Sequence, residues 1–126
     1  MITLFYCLRR LPTLSVEEFS AYWSGPHARL VCSHSAKLGI VRYVQHHGVS
    51  QEAALAMQAA RGLQTPFDGI AEICFQDFDS LERANLSPQA AAAQAALAED
   101  EDRFIDRLRS SIVLARAKTI IAGVNT

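Results

Sequence analysis

Cysteine is scarce in this chain: Cys7, Cys32 and Cys74 are the only three among 126 residues. The count is odd and no pair has metal-ligand spacing, so neither a disulfide framework nor a zinc site is expected. Each lies in an apolar run, where a reduced thiol packs as a small hydrophobe. An excess of one charge is also missing. Twelve basic and 13 acidic side chains leave a formal charge of −1, which gives nucleic acid or an anionic membrane no electrostatic hold. No apolar run approaches the roughly 20 residues of a membrane span. Met1 to Leu8 is apolar but short, and Arg9-Arg10 follows it, the reverse of a secretory signal's polarity. The cytoplasm is the expected location. No phosphate-cradling glycine loop, G-x-S-x-G elbow or dinucleotide fingerprint is present. The acidic run from Glu99 to Asp102 has neither the spacing nor the glycine of a calcium loop.

What is present suits one folded domain over residues 1–126, since half of the side chains are apolar. Ile2 to Arg9 is β-branched and aromatic and reads as a strand. Ser15 and Glu18 then form a capping box. Behind it Phe19, Trp23, His27, Leu30 and His34 recur on one helical face, with a kink expected at Gly25-Pro26. Ile40 to His47 is a second strand, placing Val41, Tyr43, Gln45 and His47 on one face and Ile40, Arg42, Val44 and His46 on the other. Residues 51–61 are helix-prone. Asp68 to Gln76 gives a third strand, opened by an Asp-Gly turn signal. A short helix starts near Asp79, and Ser87-Pro88 caps an alanine-rich one. The acidic patch at Asp100 reads as a second helix start, because acidic groups in a first turn complement the dipole. Ile112 to Ile121 closes the chain as a fourth strand.

The order β-α-β-(α)-β-α-α-β predicts an α+β, ferredoxin-like fold: a four-stranded antiparallel sheet with helices on one face. Its other face needs a cover. Two copies packed face to face would supply one, so a homodimer through the sheet face is the expected assembly.

Five stretches carry a family resemblance. They are Arg9-Arg10-Leu11-Pro12; Leu14-Ser15-x-Glu17-Glu18-Phe19-x-x-Tyr22-Trp23-x-x-x-His27; Tyr43-Val44-Gln45; Asp68-Gly69-x-Ala71-Glu72; and Asp100-Glu101-x-Arg103-Phe104-Ile105-Asp106. In this order the chain resembles the EthD family of the dimeric α+β barrel superfamily. Ser24-Gly25-Pro26 departs from the longer polar residues usual before the histidine. The resemblance implies a compact homodimer handling a small organic compound, in roles like those of polyketide cyclases and dehydratases or of accessory proteins in degradation pathways.

His27 occupies the family's histidine position, and its ring is expected to point inward with Trp23 and Leu30. It is either an acid/base residue or a core histidine bonded to a backbone carbonyl. Glu72 lies in an apolar strand, where an unpaired carboxylate is costly. It is a general base, a partner for His27, or a structural ion pair with Arg9, Arg42 or Arg116. Tyr43 either orients a substrate oxygen or is a sheet aromatic whose hydroxyl reaches the surface. Trp23, Asp68 and Phe75 are assigned to substrate binding, although an Asx-type backbone bond is an ordinary role for Asp68 before Gly69. His46 and His47 are adjacent on a strand and face opposite sides, so no metal site is expected.

Together these features predict a cofactor-independent proton-transfer enzyme, of cyclase, dehydratase or isomerase type, acting on a small, largely apolar carbonyl compound. The other reading is a non-catalytic module that binds a small hydrophobic ligand or only dimerises. A haem oxygenase like other barrel relatives would require an open histidine beside a haem-sized cavity.

Overall fold

The computed structural model describes residues 1–123. Strands β1 (Ile2–Leu8), β2 (Ile40–His47), β3 (Gly69–Phe75) and β4 (Ser111–Ala115) form one antiparallel sheet in the order β2-β3-β1-β4. That is the ferredoxin-like arrangement, as the element order predicts. The helices are α1 (Val16–Tyr22), α2 (Ala28–His34), α3 (Gln51–Ala60), α4 (Phe78–Leu86) and α5 (Pro88–Glu101). None of those described is long and apolar enough to cross a membrane.

Strand alternation sorts side chains onto two faces. Leu4, Tyr6 and Leu8 of β1 point to the helices, with Ala71, Ile73 and Phe75 of β3 beside them. Phe5, Ile70, Glu72 and Val44 take the opposite face. The helix face is buried in two clusters. Phe19 and Trp23 pack on Leu8, Ala71 and Phe104, while Val31 and Leu38 pack on Ala90, Ala93 and Leu97. By contrast, α3 buries no residue fully.

Four local expectations need correction or refinement. A register shift between Ile40 and Arg42 is a bulge, which turns Ile40 to the helix face alongside Tyr43 rather than beside Arg42. β4 ends at Ala115 instead of Ile121, because Ala115 already faces Thr3 and β1 has almost no further residues to pair with it. The kink at Gly25-Pro26 is one π-helical turn, Trp23–His27, in which the Ala28 amide reaches back to the Trp23 carbonyl. Such a turn accommodates the amide hydrogen that Pro26 lacks. Finally, no helix starts at Asp100. The Ser87 cap and the alanines carry α5 without a break to Glu101, and a turn with buried Phe104 follows, leading to buried Ile105, which bridges to Arg10.

The π turn is pressed against the sheet at Gly69. A Cβ there would overlap the Trp23 ring and lie 2.9 Å from the His46 carbonyl oxygen. Neither backbone nor a buried indole can yield cheaply. Gly69→Ala is therefore expected to lower stability by about 1–3 kcal/mol, seen as a lower urea midpoint with an unchanged slope.

Candidate active site

Between the helix-facing sheet and the helices lies a cavity of about 310 Å³, within the size range of small-molecule sites. Most of its wall is apolar, with Val31, Leu38, Ile73 and Phe75 among the contributors. Five titratable side chains also line it: Tyr6, His27, Tyr43, Glu101 and Arg107.

His27 enters from the π turn, 6% exposed, with its ring centroid 4.7 Å from that of Phe104. Its Nδ1 lies 2.8 Å from Asp100 Oδ2. A carboxylate only accepts, so Nδ1 carries the proton and donates it. The other nitrogen, Nε2, has no hydrogen-bond partner among the described residues and is not sealed off from solvent. Asp100 accepts a second bond, 2.6 Å long, from the Tyr22 hydroxyl. Burial pushes its carboxyl upward, but the bonds from Tyr22 and His27 outweigh that and hold it below the usual aspartate range.

Tyr43 is oriented by a chain of bonds across the same sheet face. Its hydroxyl oxygen accepts from Gln45 Nε2 at 2.7 Å, and that amide also donates to the Trp23 carbonyl at 2.9 Å. Gln45 Oε1 lies 2.9 Å from His47 Nε2, and Ser20 Oγ lies 2.7 Å from His47 Nδ1. An amide oxygen only accepts. His47 therefore holds its proton on Nε2 and accepts a hydrogen bond from the Ser20 hydroxyl at Nδ1, a neutral tautomer favoured by burial, which lowers its pKa. The consequence falls on Tyr43, whose oxygen is engaged as an acceptor while its own proton stays free to donate. Burial raises its phenol pKa, so that proton is retained.

Glu101 faces the cavity from the last turn of α5, and its Oε1 accepts from the Tyr6 hydroxyl at 2.8 Å. Burial raises its carboxyl above the usual range, against the opposing pull of the Tyr6 bond and the charges of His27 and Arg107.

Of the residues singled out from the sequence, His27, Tyr43, Trp23 and Phe75 converge on this cavity. Glu72 and Asp68 do not. Glu72 projects from the opposite sheet face, where Oε2 lies 3.3 Å from Arg42 and Oε1 lies 3.0 Å from His46. It does not reach His27, and the ion pair with Arg42 was one of its readings. Asp68 ties the start of β3 to Arg10, accepting from the Arg10 amide at 2.9 Å and pairing with its Nε at 3.3 Å. That is a long-range tie between loops, neither a cavity contact nor a local Asx bond.

Asp100, Glu101, Tyr6 and Tyr22 were missed as site residues. Periodicity offers a signal for two of them. Glu101 continues the Ala93, Leu97 stripe of α5, and Tyr6 lies between Leu4 and Leu8 on alternating positions.

A family model described as the EthD domain matches residues 11–108. The chain belongs to the EthD family. Its fold is shared with an EthD family protein from Bacillus halodurans at 18% identity and a TM-score of 0.59, covering 94% of this chain and 99% of that one. A dimeric protein of unknown function and ferredoxin-like fold from Bacteroides fragilis aligns at 10% identity and 0.57, covering 92% and 95%. SnoaB from Streptomyces nogalater, described as a cofactor-independent oxygenase, aligns at 15% identity and 0.54, covering 97% of each chain. No curated protein matches the sequence. At these identities the likeness is one of fold.

The lowered Asp100 carboxyl links this EthD site to stability. Its contribution is complete above the pKa of an unfolded aspartate and is lost as pH falls through the lower folded value. Asp100→Asn should therefore be less stable than the parent at neutral pH. It should also lose less on acidification, with urea midpoints between about pH 6 and pH 2 converging.

Proposed function

We propose that this EthD protein, acting as one unit over residues 1–126, is a cytoplasmic, cofactor-independent proton-transfer enzyme. Its substrate would be a small, largely apolar carbonyl compound held in the 310 Å³ cavity. The observation that carries this reading is His27: Nδ1 is fixed by Asp100, and Nε2 is left open where the Tyr43 phenol lines the same cavity.

In the proposed step, Nε2 takes a proton from the carbon beside the carbonyl. The C–H electron pair becomes the carbon–carbon double bond, and negative charge builds on the oxygen. The Tyr43 hydroxyl donates to that oxygen, as oxyanion donors do in an enclosed site. The new imidazolium is stabilised by Asp100 at 2.8 Å, whose own charge is held by Tyr22. Returning the proton to a different carbon completes an isomerisation. Expelling a neighbouring hydroxyl as water completes a dehydration, and attack of the enol carbon on a second carbonyl completes a cyclisation. Its likeness in fold to SnoaB, described as a cofactor-independent oxygenase, supports small-molecule chemistry on this scaffold.

A homodimer is part of the proposal. The open sheet face carries Phe5, Val44, Ile70 and Val113, and a protein of this fold from Bacteroides fragilis is described as dimeric. Light scattering at micromolar concentration should give twice the 13.8 kDa chain mass. A monomer at that concentration would remove the dimer from the reading.

The catalytic reading is tested with an enolisable bicyclic ketone, β-tetralone, by following deuterium uptake at its α-carbon. His27→Ala should slow exchange by about 10²–10⁴-fold, the usual worth of general acid–base catalysis, with Tyr43→Phe less affected. Unchanged exchange in His27→Ala would leave the cavity with a binding role only.

A further inference from the structure

We propose that Glu101 is a second proton-transfer residue of this cavity, giving its carboxyl proton to the substrate oxygen while His27 takes one from carbon. This rests on the reading of His27 as the base.

Asp100 and Glu101 are neighbours on α5, yet they serve different partners. Asp100 turns to Tyr22 at the end of α1 and to His27 on the π turn, and Glu101 turns to the cavity and to Tyr6 on β1. Only Oε1 of Glu101 is engaged, accepting from Tyr6 at 2.8 Å. Oε2 has no hydrogen-bond partner among the described residues and is not sealed from solvent. No cation pairs with this carboxyl at salt-bridge distance among those residues. Arg107 lines the cavity too, but its guanidinium is 3.1 Å from Asp102. A carboxyl in an apolar wall without a cation keeps its proton more readily than an exposed one. Burial accordingly raises it, against the opposing effects of Tyr6, His27 and Arg107 and with the help of Asp102.

Tyr6 is the positioning residue. By donating to Oε1 it fixes which oxygen accepts, and the acidic proton is left on Oε2. The step is then balanced. The C–H bond breaks and its proton goes to Nε2, its electrons form the enol double bond, and the carbonyl electrons take the Oε2 proton. Neutral histidine and neutral acid become imidazolium and carboxylate. Two titratable groups on one cavity, held in opposite protonation roles, are the pattern of an acid–base pair.

The test uses the full chain with carbon-13 in its glutamate carboxyls. Glu101 should titrate at higher pH than the exposed Glu17, Glu52, Glu82 and Glu99. In Tyr6→Phe, which loses a bond that favours the charged form, it should titrate higher still. β-Tetralone exchange should fall as pH rises through the Glu101 titration. Glu101→Gln should slow exchange about 100-fold and abolish that limb of the profile. A Glu101 that titrates with the exposed glutamates overturns the proposal. Exchange lost in His27→Ala but kept in Glu101→Gln overturns Glu101 as the acid and leaves the His27 reading standing. Exchange unaffected by His27→Ala removes the base on which both depend.

Discussion

A carboxylate at the unfavourable end of a helix holds this molecule's working parts together. The last turn of α5 carries Glu99, Asp100 and Glu101 with no basic residue among them. Acidic groups there oppose the helix dipole, at roughly 0.3–1 kcal/mol each. Hydrogen bonds to a charged group are worth about 1.5–3 kcal/mol, and Asp100 accepts one from Tyr22 and one from His27. The specific bonds therefore win over the dipole. Their partners sit just before and within the π turn, so the end of α5 fixes the one irregular segment of the first helical arm. The Trp23 carbonyl is held as well, by the Ala28 amide and by Gln45.

The cavity follows from side-chain size around that tie. Ala90 and Ala93 let α5 lie close over Val31 and Leu38, while Tyr6 and Tyr43 rise from the sheet near its polar groups. Close packing of the two buried clusters keeps these groups in place. Each has one valence committed and another open: His27 is held at Nδ1, Glu101 at Oε1, and Tyr43 at its oxygen but not its proton. Groups fixed in this way need little reorganisation when charge develops beside them.

The periodic features of the fold were legible in the sequence. Alternation over Ile2–Leu8 and Gly69–Phe75, the Ser15 capping box and the Phe19, Trp23, His27 part of the stripe appear where the pattern places them, whereas past the π turn Val31 is the fully buried residue and Leu30 and His34 are only partly buried. The exceptions have local causes. The β2 bulge depends on how Ile40 and Arg42 meet β3, which propensity does not encode. The dipole rule makes the acidic run at 99–102 a helix start, and that rule is the one the site breaks. Local preference yields where particular partners compensate, and such conflicts tend to mark functional positions. His27 and Tyr43 could be singled out because histidine and tyrosine stand out on apolar faces. Asp100 could not, since its significance comes from Tyr22 and His27, more than 70 residues away.

Glu72 makes the complementary point about parity. On β3 it is the immediate neighbour of Ile73, which lines the cavity, and that one-residue step turns its carboxylate to the other face of the sheet. There Arg42 and His46 meet it, and the His46 bond lowers its pKa, as a structural ion pair requires. Composition alone makes Glu72 the obvious acid of an apolar strand. Yet a carboxylate already matched to a cation has little reason to hold a proton, whereas Glu101 has a phenol and an apolar wall around it. The sheet thus separates two kinds of acid by face. One kind is neutralised by neighbouring strands where a second subunit would pack. The other is kept against one phenol and an apolar wall, where burial favours the protonated form.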